Sequence, residues 1–425
     1  MPVVTPPFGE GAVATDRDRI VAVGPAADLA ARWPDAPVED LGEAVVVPGF
    51  VDAHCHLEWS LLDGVLEPDT FGAWLGRMLT ARTRMTPADH RLAARYGALR
   101  ALRAGTTTAA DNGSTGAGAA AMAELGLRGT VHLETFGTPD GDEAARAAGT
   151  VARHLAALDA EAGDGVRVGL SPHAPYSVGP AYWAALAAEP HLAARPWATH
   201  LAESADEERV VAAGDGPLGE LFARAGFAPG RWDGADGATV VSRVAAGGGL
   251  RRRMVAAHCV RLGQGDPALL RDAGVTVAHC PRSNAFLRCG TAPLAAMRAA
   301  GVQVGLGTDS PASGGDFDVR AEARDCGRRH GVPAAELLRL ATRGGAEALG
   351  AEDEVGSLAP GLRADLVALR PAGPVRDPVE AALDEATTVE LVVSGGERLI
   401  DRGRALAAGA GDLDTRAGEA RRRLW

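Results

Sequence analysis

The sequence predicts an α/β protein: a (β/α)8 barrel carrying a small β-sandwich domain built from both chain ends. Three observations predict it. Eight short β-rich apolar runs alternate with Ala-, Leu- and Arg-rich helical stretches, the pattern of a parallel sheet covered on both faces. Eight units favour closure over an open doubly wound sheet, because the first and last strands can then pair. Strand-like texture also appears near both termini, where two segments distant in sequence can share one sheet.

Taken in order, Gly11 to Thr15 and Ile20 to Val23 flank the turn-like Asp16 to Arg19, and Ala44 to Val47 follow. Pro48-Gly49 marks the entry to the barrel. The eight barrel runs are Val45 to His54, Thr106 to Asp111, Gly129 to Glu134, Val166 to Ser171, Trp197 to His200, Met254 to His258, Val275 to His279 and Val302 to Gly307. Helices are expected over Phe71 to Arg103, Ala117 to Leu125, Glu143 to Ala162, Pro180 to Ala188, Asp206 to Ala225 and Ala292 to Ala300. Gly226 to Gly249 reads as a long loop. Past Pro360-Gly361 come Asp365 to Leu369, Val389 to Val393, the hairpin turn Ser394-Gly395-Gly396 and Arg398 to Ile400. The expected units are residues 1–47 and 359–412 for the sandwich, 48–358 for the barrel and 413–425 for a C-terminal tail.

The chain has 425 residues, 43 basic and 55 acidic, for a net charge of −12. An acidic surface without basic clusters argues against nucleic acid or anionic membrane as partner. A small-molecule substrate is expected instead, with a homodimer left open. No lysine occurs, which excludes Schiff-base chemistry, a P-loop lysine and a carbamylated lysine bridging two metals. Five cysteines without a C-x-x-C pair, no long apolar run and no leader pattern in Met1 to Glu10 read as a cytoplasmic protein.

In such a barrel the reactive residues lie at the C-terminal ends of the strands. His54, His56, His173, His200, His258 and His279 all fall at or just beyond a predicted strand end. In His54-Cys55-His56, strand alternation places both imidazoles on one side and Cys55 on the other. Two neutral imidazoles on one face make half a metal site, and two solvated loop histidines are the plain alternative. Cys259 and Cys280 stand beside His258 and His279 in the same way, so the three cysteines pack as small apolar residues or, alternatively, build a thiolate zinc site. His200 is followed by Glu203, a carboxylate that can return over the same pocket or merely favour a helix N-terminus. Asp309 ends the almost wholly apolar eighth run, where its charge needs a partner such as a metal, unless it caps the next helix. His54, His56, His200 and Asp309 together supply three nitrogens and one oxygen, a set suited to one Zn²⁺ or Fe²⁺.

These residues sit in longer motifs: PGFVDAHCH (48–56), GTTT (105–108), SPHAPYS (171–177), THLAES (199–204), AAHCV (256–260), HCPRSN (279–284), GTDSPAS (307–313) and GSLAPGLRADLV (356–367). Over nearly its whole length the chain resembles the amidohydrolase superfamily, in its branch of mononuclear nucleobase and nucleoside deaminases. The resemblance implies one metal on His54, His56, His200 and Asp309. It implies Glu203 and His258 as the proton-handling pair, Asp309 as a proton carrier, and His173 and Asn284 facing the substrate. Hydrolysis would add water to the amino-bearing ring carbon and release ammonia, Glu203 protonating the adjacent ring nitrogen while His258 orients the water. Arg363 stands where the family often has Lys. HLEWS (56–60), FGAWL (71–75) and HCPRSNAFLRCG (279–290) look most like the aminodeoxyfutalosine deaminases of the alternative menaquinone pathway, which makes Glu58 and Trp59 substrate contacts.

Aminodeoxyfutalosine carries a benzoate, so Arg282 and Arg288 are expected at the pocket mouth as its partners, two surface arginines being the alternative. Other possible substrates are adenosylhomocysteine or methylthioadenosine, guanine, a pterin, or a chlorinated triazine. A non-catalytic metal-bound scaffold is the rival of another class. His279 is read as a further polar contact or a histidine satisfied by backbone.

Overall fold

Pro48-Gly49 splits the first expected barrel run into two strands that serve different sheets. In the computed structural model, which describes residues 10–425, Val45–Pro48 pairs antiparallel with Leu366–Arg370, while Phe50–Cys55 begins the barrel. The Met1 to Glu10 reading and the start of the 1–47 segment lie, before Glu10, outside the described residues.

Eight parallel strands follow in strict sequence order: Phe50–Cys55, Thr106–Gly113, Arg128–Thr135, Val166–Pro172, Trp197–Leu201, Met254–His258, Thr276–His279 and Val304–Leu306. The ring closes beyond the last strand. Asp309 N donates to His54 O at 2.9 Å and His56 N to Asp309 O at 2.9 Å, a parallel bridge of Cys55 with Asp309. Ala53, Ala198, Val255 and Ala278, from strands 1, 5, 6 and 7, pack on one another, so small side chains fill part of the interior.

The seam depends on Gly307. A Cβ there would stand 2.9 Å from both Cβ and O of His54 and 3.0 Å from Sγ of Cys280. Gly307→Ala is therefore expected to destabilise the chain by about 1–3 kcal/mol through overpacking. Denaturant unfolding measures it, and an unchanged midpoint would show that the seam has room.

The small domain is a two-stranded hairpin, Gly11–Asp16 with Arg19–Pro25, beside a five-stranded antiparallel sheet that Val45–Pro48 and the C-terminal strands share. Val13 packs with Leu366, Ala368 and Leu391, so the hairpin lies against one face of that sheet.

Four expectations need correction. Phe71 to Arg103 is two helices, Phe71–Arg82 and Pro87–Arg103, because Thr86 and Asp89 form a capping box and Pro87 takes the first helical position. Asp206 to Ala225 is likewise two, Ala205–Ala213 and Gly216–Arg224, broken where Gly214 and Gly216 have φ of 77° and 83°. Gly226 to Gly249 contains the helix Val240–Ala246, against which Trp232 is buried. Residues 413–424 of the expected tail belong to a helix, Ala410–Leu424, whose Leu413, Ala417 and Leu424 join the main core. Among the described residues no helix is long and apolar enough to cross a membrane.

Candidate active site

The expected alternation through His54-Cys55-His56 is interrupted by a bulge. Three steps of strand 1, Asp52 to Cys55, face two steps of strand 2, Ala109 to Asp111. Bulges re-aim side chains next to active sites. Here both imidazoles come to one point, with centroids 4.8 Å apart and planes at 89°. His200, from the end of strand 5, joins them at 4.9 Å from His54 and 5.3 Å from His56. Their ligating nitrogens all lie within 4.8 Å of one another.

Each ring is held from behind. Nδ1 of His56 donates to Asn112 O at 2.6 Å, and Nδ1 of His200 donates to His173 O at 2.8 Å. The two Nε2 atoms lie 3.3 Å apart and face each other. The side-chain amide of Asn112 lies 3.0 Å from Nδ1 of His54. Nε2 of His54 is buried without a hydrogen-bond partner. Asp309 completes the cluster: its Oδ1 is 3.3 Å from Nε2 of His56 and 3.9 Å from Nε2 of His54. Its Oδ2 accepts from the hydroxyls of Ser313, at 3.0 Å, and Ser283.

Three converging imidazoles, one orphaned buried nitrogen and a carboxylate oxygen fit a single divalent cation of the zinc class. The thiols of Cys55, Cys259 and Cys280 are not among the converging groups. Burial pushes all three up, so they stay neutral, as the apolar reading has it.

Beside the cluster stand Glu203 and His258, with Oε1 of Glu203 3.6 Å from Nε2 of His258. Burial, then Asp309 and Glu207, hold the Glu203 carboxyl well above the usual carboxylate range. His258 is the reverse case: burial lowers it, and the ring is neutral. Its Nδ1 donates to Asn284 Oδ1 at 3.0 Å, which directs the Nε2 lone pair toward Glu203. His258 and Asp309 have φ of 73° and 58°. Such left-handed backbone costs of order 1 kcal/mol or more for a non-glycine residue and clusters where geometry serves a site.

Of the other expected contacts, Asn284, Arg282, Glu58 and Trp59 are engaged by neighbouring residues, while His173 and Arg288 are not enclosed. Asn284 reaches His258, so its carbonyl supports that ring. Arg282 pairs with Asp316 at 2.5 Å and lies 3.5 Å from Glu322, so its half-buried guanidinium is already engaged. Glu58 accepts from backbone and hydroxyl of both Ser114 and Thr115, leaving no free carboxylate. Trp59 is buried edge-on against His90 at 5.2 Å. His173 is half-buried, its ring 4.7 Å from both His200 and the exposed Phe136. Arg288 is exposed, at φ 54°, just past the helix Pro281–Phe286.

Sequence reasoning passed over Glu134 at the end of strand 3, Asn112, Ser283 and Ser313. Glu134 is buried, pushed by that burial to about 7, with Oε1 unpartnered and 3.9 Å from Nδ1 of His56. Its signal was the one that singled out Asp309, a carboxylate closing an apolar strand.

The model of the amidohydrolase family matches residues 45–399, and that of an imidazolonepropionase-like composite domain of bacteria matches residues 11–36. A 5-methylthioadenosine/S-adenosylhomocysteine deaminase of Moorella thermoacetica is 34% identical over 97% of this chain and 95% of its own. Among solved structures, an adenosine deaminase from Xanthomonas campestris with bound zinc superposes with a TM-score of 0.80 at 27% identity, covering 98% of this chain and 94% of its own. Helicobacter pylori aminofutalosine deaminase superposes with a TM-score of 0.78 at 22% identity, over 92% of this chain and 95% of its own, a likeness of fold.

Proposed function

The chain belongs to the amidohydrolase family, as a hydrolase acting on C–N bonds, and on that premise we propose that it deaminates adenine nucleosides substituted at the 5′ position, of the methylthioadenosine and adenosylhomocysteine type. The observation that carries this reading is Glu203, buried 3.6 Å from His258 at the edge of a three-histidine cluster. An aminated ring resists water until its neighbouring nitrogen is protonated, and a carboxyl whose burial favours the protonated form can supply that proton. The activities of the relatives named above support the choice of nucleoside.

His54, His56, His200 and Asp309 would hold the metal, which when bound lowers the pKa of water toward neutrality. The chain's own residues handle the protons. Glu203 gives one to the ring nitrogen, and Nε2 of His258 accepts from the incoming water and orients it. Asp309 Oδ1 takes one proton of that water as its oxygen bonds to the amino-bearing carbon, then delivers it to the amino nitrogen, which leaves as ammonia. The remaining hydroxyl proton returns to Glu203 as the carbonyl forms. Both protons of water are thereby accounted for.

A second reading, aminodeoxyfutalosine as substrate, is favoured by Arg288, an exposed cation without a hydrogen-bond partner among the described residues, in the segment that suggested it. Ammonia release across adenosine, methylthioadenosine, adenosylhomocysteine, aminodeoxyfutalosine and guanine tests both. Methylthioadenosine or adenosylhomocysteine is expected to give the highest kcat/KM. A lead for aminodeoxyfutalosine that Arg288→Met narrows would establish the second reading, and no release from any adenine nucleoside would sink both.

A further inference from the structure

The seventh strand ends on a histidine that the active site does not use. Ala278 belongs to the barrel interior, so the next residue, His279, points the opposite way, toward the helix Val319–His330. Cys326 and His330 are four residues apart on that helix and so share one face. The ligating atoms of His279, Cys326 and His330 lie within 4.8 Å of one another. Nε2 of His279 is 3.2 Å from Nε2 of His330, with ring planes at 69°. Two imidazole nitrogens on one tetrahedral zinc stand about 3.3 Å apart, as Zn–N bonds of 2.0–2.1 Å require.

The surroundings suit a cation as well as the spacing does. His279 is 1% exposed and its Nδ1 has no partner, so Nε2 is the atom through which this buried ring meets anything polar. Burial, then His330, lower His279 to about 3, and burial followed by Arg329 lowers His330. Both rings are therefore neutral and offer lone pairs. His330 is the last residue of its helix before Gly331, where the helix dipole favours positive charge. Asp325 is tied to Arg328 and Arg329 and is not a competing ligand. Half-buried His330 gives solvent a path to the cluster.

We propose that His279, Cys326 and His330 form a second metal site, distinct from the catalytic cluster, that takes a zinc-class divalent cation with water as its fourth ligand. Binding breaks the Cys326 S–H bond and forms a metal–thiolate bond, the proton leaving to solvent. Because the thiol gives up its proton on binding, uptake is pH-dependent. The site would clip the end of strand 7 to the helix that follows strand 8.

Cobalt and zinc measurements on the full chain test this. At saturating Co²⁺ the wild type is expected to show a thiolate-to-cobalt charge-transfer band, which Cys326→Ser abolishes while the d–d absorption of the histidine-rich catalytic cluster persists. Zinc content is expected to fall by about one equivalent per chain in Cys326→Ser and in His330→Gln, and to stay unchanged in Cys289→Ser. A wild type without that band, which no folding defect of a variant can explain, overturns the proposal. So does a band that survives Cys326→Ser.

Discussion

Glu203→Gln is expected to keep its metal and its fold and to lose about 10²- to 10⁴-fold in kcat, the range for removing one positioned proton donor. The substitution preserves shape and the ability to donate a weak hydrogen bond, but the amide cannot release a proton to the ring nitrogen. The loss should fall equally on kcat and kcat/KM, since the missing interaction is made in the transition state. A pH signature accompanies it. Because burial raises the Glu203 carboxyl, its protonated form persists above the usual carboxylate range and is lost as pH rises past its folded-state value. Wild-type kcat should therefore decline on the alkaline side, and Glu203→Gln should lack that limb. Metal analysis alongside single-turnover kinetics decides the matter: a Gln variant that has lost its metal would make Glu203 a ligand, and one that turns over normally would remove it from the chemistry.

The groups of the candidate site were legible and those that hold them mostly were not, for a physical reason. A metal ligand or buried acid at the end of a short apolar strand is an expensive residue in an unusual place. His54, His56, His200 and Asp309 therefore stand out from a single sequence. A supporting group is ordinary: Ser283 and Ser313 read as loop serines, and only the closed ring brings their hydroxyls to Asp309. Long-range pairing hides in the same way. Arg282 looks free until Asp316 and Glu322, 34 and 40 residues later, are seen against it. Glu58 reads as a pocket acid until Ser114 and Thr115 close over it. The split of Phe71 to Arg103, by contrast, was written locally in Thr86, Pro87 and Asp89 and was open to closer reading.

His54→Ala and His200→Ala are each expected to lose the catalytic metal and, with it, essentially all turnover, while the chain remains folded. The ligands sit where strands 1 and 5 and the loop after strand 8 meet at the barrel mouth, and the barrel is filled beneath them by Ala53, Ala198, Val255 and Ala278. Closure of the ring rests on backbone bonds between Asp309 and residues 54 and 56, which need no cation. Charge balance without metal is also tolerable. His54 is kept neutral by its burial, followed by His56 and the other nearby imidazoles. Burial would lower His56 too, but Glu134 and then Asp309 outweigh it and raise the ring, so a proton there can answer the carboxylates. Asp309 keeps the Ser283 and Ser313 hydroxyls. A chelated wild type should accordingly retain its far-ultraviolet circular dichroism and a cooperative unfolding transition, and should regain activity on addition of Zn²⁺. Metal content per chain, circular dichroism and ammonia release on the same samples make the comparison. Chelation that melts the barrel would mean that the cation holds the strands together, contrary to the closure described here. A His54→Ala variant that keeps both its metal and its rate would remove His54 from the ligand set.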